Sequence, residues 1–104
     1  MESWTAVAQE NELAEKLTVC LADREIMLTR HDGAIYAINN VCSHAYARLS
    51  EGDAWNGTVY CPKHGSGFDV KTGAVKGLPA TKPVETYDVK TENGTIFLKS
   101  RNYA

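Results

Sequence analysis

Two short segments decide how this chain is interpreted: Val41-Cys42-Ser43-His44 and Cys61-Pro62-Lys63-His64-Gly65-Ser66. Each segment carries one cysteine followed closely by one histidine, and sixteen residues, Ala45 to Tyr60, separate the two segments. Thiolate and imidazole are the soft and borderline donors that zinc and iron-sulfur centres use. The pair of segments therefore predicts a metal centre built from two short arms.

Three chemistries could use these four side chains. Zinc accepts a Cys₂His₂ set, although zinc fingers and ribbons usually group Cys with Cys and His with His. A Cys–His nucleophile needs one such pair and an orienting group, which leaves the second arm unexplained. A [2Fe-2S] centre with two Cys on one iron and two His on the other uses all four residues. The spacing favours this third chemistry and leaves the other two open.

Strand and turn signals dominate the rest of the chain. Alternation of apolar and polar residues predicts strands over 17–21, 25–29, 34–39, 86–90 and 95–99, with an edge strand over 4–8. Asp32-Gly33 and Asn93-Gly94 are typical of hairpin turns. The segment Gln9–Lys16 is rich in helix formers and would make at most about two helical turns. We therefore expect an all-β, antiparallel domain.

The segment from Val41 to about Gly77 differs in composition from the strands on either side. It is rich in Gly, Ser, Pro and His, and only 58–60 and 67–70 resemble strands. Long irregular segments in compact domains are usually functional or disordered. We expect residues 1–104 to form a single domain, with a ligand-binding lobe over about 41–77 inserted into the β base.

Length and charge exclude several classes of protein. The 104 residues, 43% hydrophobic and 23% charged, suit one small globular domain without room for a deep catalytic pocket. No apolar run approaches the roughly 18 residues of a membrane span, and Met1-Glu2-Ser3 lacks the basic start of a signal peptide. The net charge of -2 argues against nucleic acid as a partner. We expect a cytoplasmic protein with no membrane or nucleic-acid partner.

The two arms, with the following Phe68-Asp69-Val70-Lys71-Thr72-Gly73, resemble the Rieske ferredoxins of bacterial aromatic-ring-hydroxylating dioxygenase systems. The Pro79-Ala80-x-x-Pro83 run and the last hairpin are similar to that family too, so the resemblance spans essentially the whole chain. It implies a Rieske fold, which is an antiparallel β-sheet base carrying a small cluster-binding lobe.

The resemblance also implies the site. One Rieske [2Fe-2S] cluster per chain would be held by Cys42 and Cys61 on one iron and by His44 and His64 on the other. The two imidazoles would face the protein surface and form the docking surface for partners, together with Tyr46. No second cofactor motif occurs in the sequence, so a catalytic role is not expected.

The implied role is a soluble one-electron carrier. It would accept electrons from a flavin-dependent NAD(P)H reductase and deliver them to a terminal Rieske non-haem iron oxygenase, as a monomer that docks transiently. The alternatives are the Rieske-like small subunit of an NAD(P)H nitrite reductase and a zinc-stabilised interaction module. A cysteine-dependent enzyme is a more distant possibility.

Residues beside the predicted ligands would tune the centre. High-potential relatives carry a loop-linking disulfide at positions that correspond to Ala47 and Lys63, and a Tyr hydroxyl at the position of Phe68. Their Ser hydroxyl is retained as Ser66. Because hydrogen bonds to cluster sulfurs raise the potential, we expect a value in the lower part of the Rieske range of roughly -150 to +300 mV.

Further residues are assigned structural roles. Gly65 is expected to allow a tight turn and close backbone approach to the cluster, and Pro79 to lie in a loop that covers it. Cys20 is expected to be an ordinary strand residue, His31 a solvated loop residue and Trp55 a packing residue.

Overall fold

The computed structural model describes residues 4–21, 23–42, 47–63, 65–76 and 82–100, and among these residues there is no α-helix. Two 3₁₀ turns cover Glu10–Glu12 and Leu49–Glu51. The strands are β1 (Thr5–Gln9), β2 (Lys16–Leu21), β3 (Arg24–His31), β4 (Ala34–Asn39), β5 (Ala54–Trp55), β6 (Thr58–Tyr60), β7 (Gly67–Asp69), β8 (Thr86–Glu92) and β9 (Thr95–Ser100). The predicted all-β class is confirmed.

Six strands form the base sheet, in the order β1-β9-β8-β4-β3-β2, and every neighbouring pair is antiparallel. The two outer strands, β1 and β2, also contact each other, so the sheet curls back on itself. Its inner face encloses an apolar core because one side of each strand is apolar. The buried members of this core are Leu13, Ile26, Leu28, Ala37, Tyr87, Ile96 and Leu98.

The three remaining strands form a small sheet in the order β5-β6-β7, between β4 and β8 in the sequence. A second apolar core, which we call the lobe core, lies between this sheet and the base. Its buried members are Met27, Ile38, Cys42, Leu49, Val59, Cys61, Phe68, Val70 and Val84. The lobe core therefore joins the small sheet and both cysteine segments to one face of the base sheet.

Strands β3 and β4 contribute to both cores because successive side chains point to opposite faces. Ile26 and Leu28 enter the base core, whereas Met27, which lies between them, enters the lobe core. Ile38 likewise enters the lobe core, and all four side chains have 0% exposure. This arrangement explains why an apolar residue, Met27, lies between two residues of the base core.

Three hairpins share one turn geometry. Asp32-Gly33 and Asn93-Gly94 have positive φ at both residues (52° and 80°, 51° and 80°), as two-residue hairpin turns require. The Asn56-Gly57 pair between β5 and β6 has the same values, 52° and 81°. The first two turns confirm the prediction, and the third shows that Asn56-Gly57 marks a hairpin that the sequence analysis missed.

The segment Gln9–Lys16, expected to make at most about two helical turns, forms only the three-residue 3₁₀ turn before β2, and the Glu12 carboxylate accepts a hydrogen bond from the Gln9 N–H (2.7 Å). Two further expectations are wrong. His31 ends strand β3, and its ring packs against Gly57, with 20% of the side chain exposed. Trp55 is 73% exposed because it lies on the outer face of the small sheet.

Candidate iron-sulfur site

The two cysteines begin loops that close in the same way. In the first loop, the Cys42 N–H donates to the Ala47 carbonyl (2.9 Å), and in the second the Cys61 N–H donates to the Ser66 carbonyl (2.7 Å). Each hydrogen bond spans five residues, and the Gly65 N–H also donates to the Cys61 carbonyl (2.9 Å). The two loops are thus equal in length, and each starts at a cysteine.

Both cysteine side chains are buried in the lobe core. Cys42 is 4% exposed and Cys61 is 2% exposed, and no disulfide joins them to each other or to Cys20. They belong to the same buried cluster as apolar side chains such as Met27 and Phe68. Two buried thiols in one shared core are half of the Cys₂His₂ ligand set of a Rieske centre, so the donor chemistry fits this group.

The second loop is the hairpin loop of the small sheet. Strand β6 ends at Tyr60, directly before Cys61, and β7 begins at Gly67, directly after Ser66. Gly65 has φ +78°, a left-handed conformation that favours glycine, and this confirms the predicted turn. The register of β6 and β7 therefore fixes where this loop lies.

Ser66 and Phe68, which were predicted to lie beside the cluster, are both 0% exposed. Phe68 pairs with Val59 across the small sheet and belongs to the lobe core with both cysteines. These contacts place both side chains in the interior next to the second loop. Whether they contact a cluster sulfur stays a prediction.

The first loop is not the loop of a regular hairpin. Among the described residues that flank it, an isolated bridge joins Val41 to Arg48, and the 3₁₀ turn Leu49–Glu51 follows. Arg48 instead makes a bidentate contact with Glu25 at the start of β3. Its Nε donates to Oε1 (2.9 Å), and its Nη2 donates to Oε2 (3.3 Å). The hydrogen bonds from Arg48, and then that from Asn40, lower the pKa of Glu25.

A close backbone contact joins the segments that follow and precede the two loops. A Cβ built on Gly52 would lie 1.9 Å from the Tyr60 carbonyl oxygen and 3.2 Å from Pro62 Cδ. Lys16 on β2 also donates a hydrogen bond to the Gly52 carbonyl. The chain leaving the first loop is therefore packed against the Tyr60 carbonyl group and the Pro62 side chain, which lie on either side of Cys61 in the sequence.

The structure places Cys42 and Cys61 in the same buried core. His44, Tyr46, His64 and Pro79 lie outside the described residues. Within the described ranges, no group of three or more His, Cys, Asp or Glu side chains could hold a metal ion. The assignment of the two imidazole ligands therefore stays a prediction.

Sequence reasoning missed residues that hold the loops in place. Asn40 and Gly52 stand close to the cysteine segments, but neither is a metal-ligand type. Position along the chain is the signal that the sequence offers for these two residues. Asn40 lies two residues before Cys42, and Gly52 directly follows the 3₁₀ turn Leu49–Glu51.

The all-β fold with two buried cysteines on equal loops supplies the thiolate half of a metal centre, and comparison with known proteins identifies the class of domain. The model of the Rieske [2Fe-2S] domain matches residues 3–88. The chain therefore belongs to the Rieske [2Fe-2S] domain family, and its cofactor is a Rieske [2Fe-2S] cluster.

Curated relatives are ferredoxins. The chain is 43% identical over 76 residues, 73% of each chain, to the ferredoxin component of naphthalene 1,2-dioxygenase/salicylate 5-hydroxylase systems from Ralstonia sp.. It is 48% identical over 77 residues, 70% of each chain, to the 3-phenylpropionate/cinnamic acid dioxygenase ferredoxin subunit of Escherichia coli K12.

Solved structures agree with these relatives. The ferredoxin of carbazole 1,9a-dioxygenase from Nocardioides aromaticivorans IC177 superposes with a TM-score of 0.89 and 33% identity, covering 95% of this chain and 99% of that one. A chain from a complex of reduced oxygenase and oxidised ferredoxin in carbazole 1,9a-dioxygenase superposes with a TM-score of 0.88 and 25% identity. The match covers 97% of this chain and 96% of that one. Within the described residues, no helix is long and apolar enough to cross a membrane.

Proposed function

We propose that this protein is the ferredoxin of an aromatic-ring-hydroxylating dioxygenase system, a one-electron carrier rather than an enzyme. The observation that carries the proposal is the pair of equally closed loops that place Cys42 and Cys61 in one buried core. Relatives that share 43% and 48% identity are ferredoxin components of such systems. The resemblance found in the sequence leads to the same role.

The proposed ligands are Cys42 and Cys61 on one iron and His44 and His64 on the other. The support is the loop symmetry: a loop that begins with one cysteine and carries one histidine would supply one ligand to each iron. The bound cluster supplies the one-electron chemistry. The chain's own residues bind it through two thiolates that stay deprotonated once they are metal-bound.

The lobe core excludes water from the cysteine side of the site. Cys42 and Cys61 are nearly inaccessible, and the fully buried Met27, Leu49 and Phe68 pack in the same core. Electrons would therefore enter and leave on the histidine side, where we propose that His44, His64 and Tyr46 form the docking surface. Electron transfer through a single side of the protein suits a carrier whose two partners bind the same surface one after the other.

The proposed partners are a flavin-dependent NAD(P)H reductase upstream and a terminal Rieske non-haem iron oxygenase downstream. A ferredoxin of similar structure forms a complex with the oxygenase of carbazole 1,9a-dioxygenase, which supports the second partner. Docking that must be repeated at each one-electron step favours a small, weak interface. We propose a monomer for the same reason.

The buried residues Ser66 and Phe68, beside the second loop, bear on the reduction potential of the cluster. Ser66 can supply one hydroxyl, whereas the phenyl ring of Phe68 supplies none at the position where high-potential relatives carry Tyr. Fewer hydrogen bonds to sulfur destabilise the more negative reduced state, so we propose a potential in the lower part of the Rieske range. Gly65 is proposed to bring backbone close to the cluster, and Pro79 to cover it.

We also propose that residues 1–104 are a single domain, with the cluster-binding lobe over about 41–77, and that it works in the cytoplasm. The cytoplasmic assignment is supported by the NAD(P)H that such a reductase consumes.

The test is reconstitution of electron transfer. The purified protein should be reduced by a ferredoxin reductase from an aromatic dioxygenase system and should then support turnover by the matching oxygenase. A protein with a Rieske spectrum that no such reductase reduces would contradict the role. A colourless, zinc-containing protein would instead support the zinc-stabilised module and overturn the cluster itself.

A further inference from the structure

Asn40 is fully buried, and the four polar groups that it carries all make hydrogen bonds. Its backbone N–H donates to the Glu25 carbonyl (2.9 Å), and its carbonyl accepts from the Leu49 N–H (2.7 Å). In the side chain, Oδ1 accepts from the Ser50 N–H (2.8 Å) and Nδ2 donates to Glu25 Oε1 (3.2 Å). The residue therefore joins strand β3 of the base to the turn that follows the first cysteine loop.

The first loop is held on both of its sides by this arrangement. Asn40 lies two residues before Cys42, and Arg48 lies directly after Ala47, whose carbonyl closes the loop. Both side chains bond the same carboxylate, because Glu25 Oε1 accepts from Asn40 Nδ2 and from Arg48 Nε. One residue of the base thus fixes the entry and the exit of the loop.

The second loop is positioned by strand pairing. It continues directly from β6 and into β7, and three paired positions between these strands set its place. In the described residues on either side of the first loop, strand pairing is limited to the bridge between Val41 and Arg48. We therefore expect side-chain hydrogen bonds to fix the position of the first loop, as strand pairing fixes the position of the second.

We propose that Asn40 is a positioning residue for the cluster: its side-chain amide sets where the first ligand loop lies relative to the second. The inference rests on the proposed function, since it assumes that Cys42 and His44 are ligands. An amide is required because the site needs an acceptor toward Ser50 and a donor toward Glu25 on one short side chain. An aspartate would keep the acceptor, lose the donor and place a second carboxylate against Glu25.

The test is a double-mutant cycle between Asn40 and Glu25. Asn40→Asp sets two carboxylates together, whereas Asn40→Asp combined with Glu25→Gln restores a donor, because the glutamine amide can bond the introduced carboxylate. The combined variant also has the net charge of the parent. Asn93→Asp, in the exposed β8–β9 turn, is the control for the change of residue type and charge.

Three readouts are taken on each cluster-loaded protein: the rate of iron release to a chelator, the electron paramagnetic resonance (EPR) line shape of the reduced form, and the reduction potential. Leaving a buried group without its partner should speed iron release about tenfold in Asn40→Asp. We expect a changed EPR line shape in this variant, since both irons take a ligand from the displaced loop. The Asn93→Asp protein should match the parent, and the combined variant should recover most of the parent behaviour.

Parent-like iron release and line shape in Asn40→Asp would overturn the positioning role. So would an Asn40→Asp protein that fails to fold and is not rescued by Glu25→Gln, because the defect would then be one of general packing. The parent spectrum is the separate check on the proposed function. A parent without a Rieske signal refutes the carrier role, whereas a normal parent with unaffected variants refutes only the role of Asn40.

Discussion

Replacing Gly52 with alanine should damage the cluster site as well as the stability of the protein. Gly52 has φ -96°, so an alanine would adopt its backbone conformation without strain. The added Cβ, however, would lie 1.9 Å from the Tyr60 carbonyl oxygen and 3.1 Å from the Tyr60 carbonyl carbon. Backbone on one side or the other has to move, and the backbone that the Cβ meets leads directly into Cys61.

The expected cost follows from this geometry. Inserting a methyl group into packed structure costs about 1–3 kcal/mol when neighbours must shift. The smaller conformational freedom of an unfolded alanine returns only about 0.4–1 kcal/mol. Each net kcal/mol lowers the melting temperature of a domain this size by about 4–8 °C. We expect Gly52→Ala to melt several degrees lower and to hold less iron per folded chain.

Gly33→Ala is the matched control. Gly33 has φ +80° in the β3–β4 turn, and nothing lies within 4 Å of its added Cβ. Its cost of about 1–2 kcal/mol comes from the left-handed backbone alone. Thermal unfolding by circular dichroism and iron content of the folded fraction are measured for both variants. If Gly52→Ala retained as much iron as Gly33→Ala at an equal loss of stability, the contact would not support the second loop.

Three further predictions concern single side chains. Ser66→Ala should lower the reduction potential measured by redox titration, because it removes a hydroxyl donor; an unchanged potential would make Ser66 purely structural. Phe68→Tyr should raise the potential by restoring a hydroxyl, and a parent-like value with an intact EPR signal would contradict that role. The pKa of Glu25 lies below its ordinary value near 4.5 because Arg48 and then Asn40 donate hydrogen bonds to it. The folded state therefore binds fewer protons than the unfolded state, and the stabilisation present above that value is lost as the pH falls through the lowered pKa. The difference in urea midpoint between the parent and Glu25→Gln should shrink as the pH is lowered from 7 to 3, whereas a constant difference would refute the linkage.

Local signals in the sequence predicted most of the base sheet. The Asp32-Gly33 and Asn93-Gly94 turns need positive φ at both positions, and the alternation of apolar residues marks the strands on either side. The same dipeptide at Asn56-Gly57 is a weaker hairpin signal, because β5 has only two residues and shows no alternation. The segment Gln9–Lys16 forms only a 3₁₀ turn, since so short a segment has little helical stability of its own.

The site was predictable where chemistry is tied to residue type. Cysteines at matching positions in two loops point to a metal whatever the surrounding fold. Asn40 and Gly52 could not be predicted, because their roles depend on long-range contacts with Glu25 and Tyr60. Trp55 differs from expectation for a related reason: an aromatic residue in a strand is usually buried, but the short strand β5 leaves Trp55 73% exposed.

The central claim is that one cluster is held by two thiolates and two imidazoles on paired loops. Pulsed EPR of the reduced protein tests it directly, because it detects nitrogen nuclei bound to the paramagnetic iron. The account predicts couplings from two imidazole nitrogens, with one lost in His44→Cys and the other lost in His64→Cys. A reduced cluster without nitrogen couplings, or one whose couplings survive in both variants, would contradict the ligand assignment.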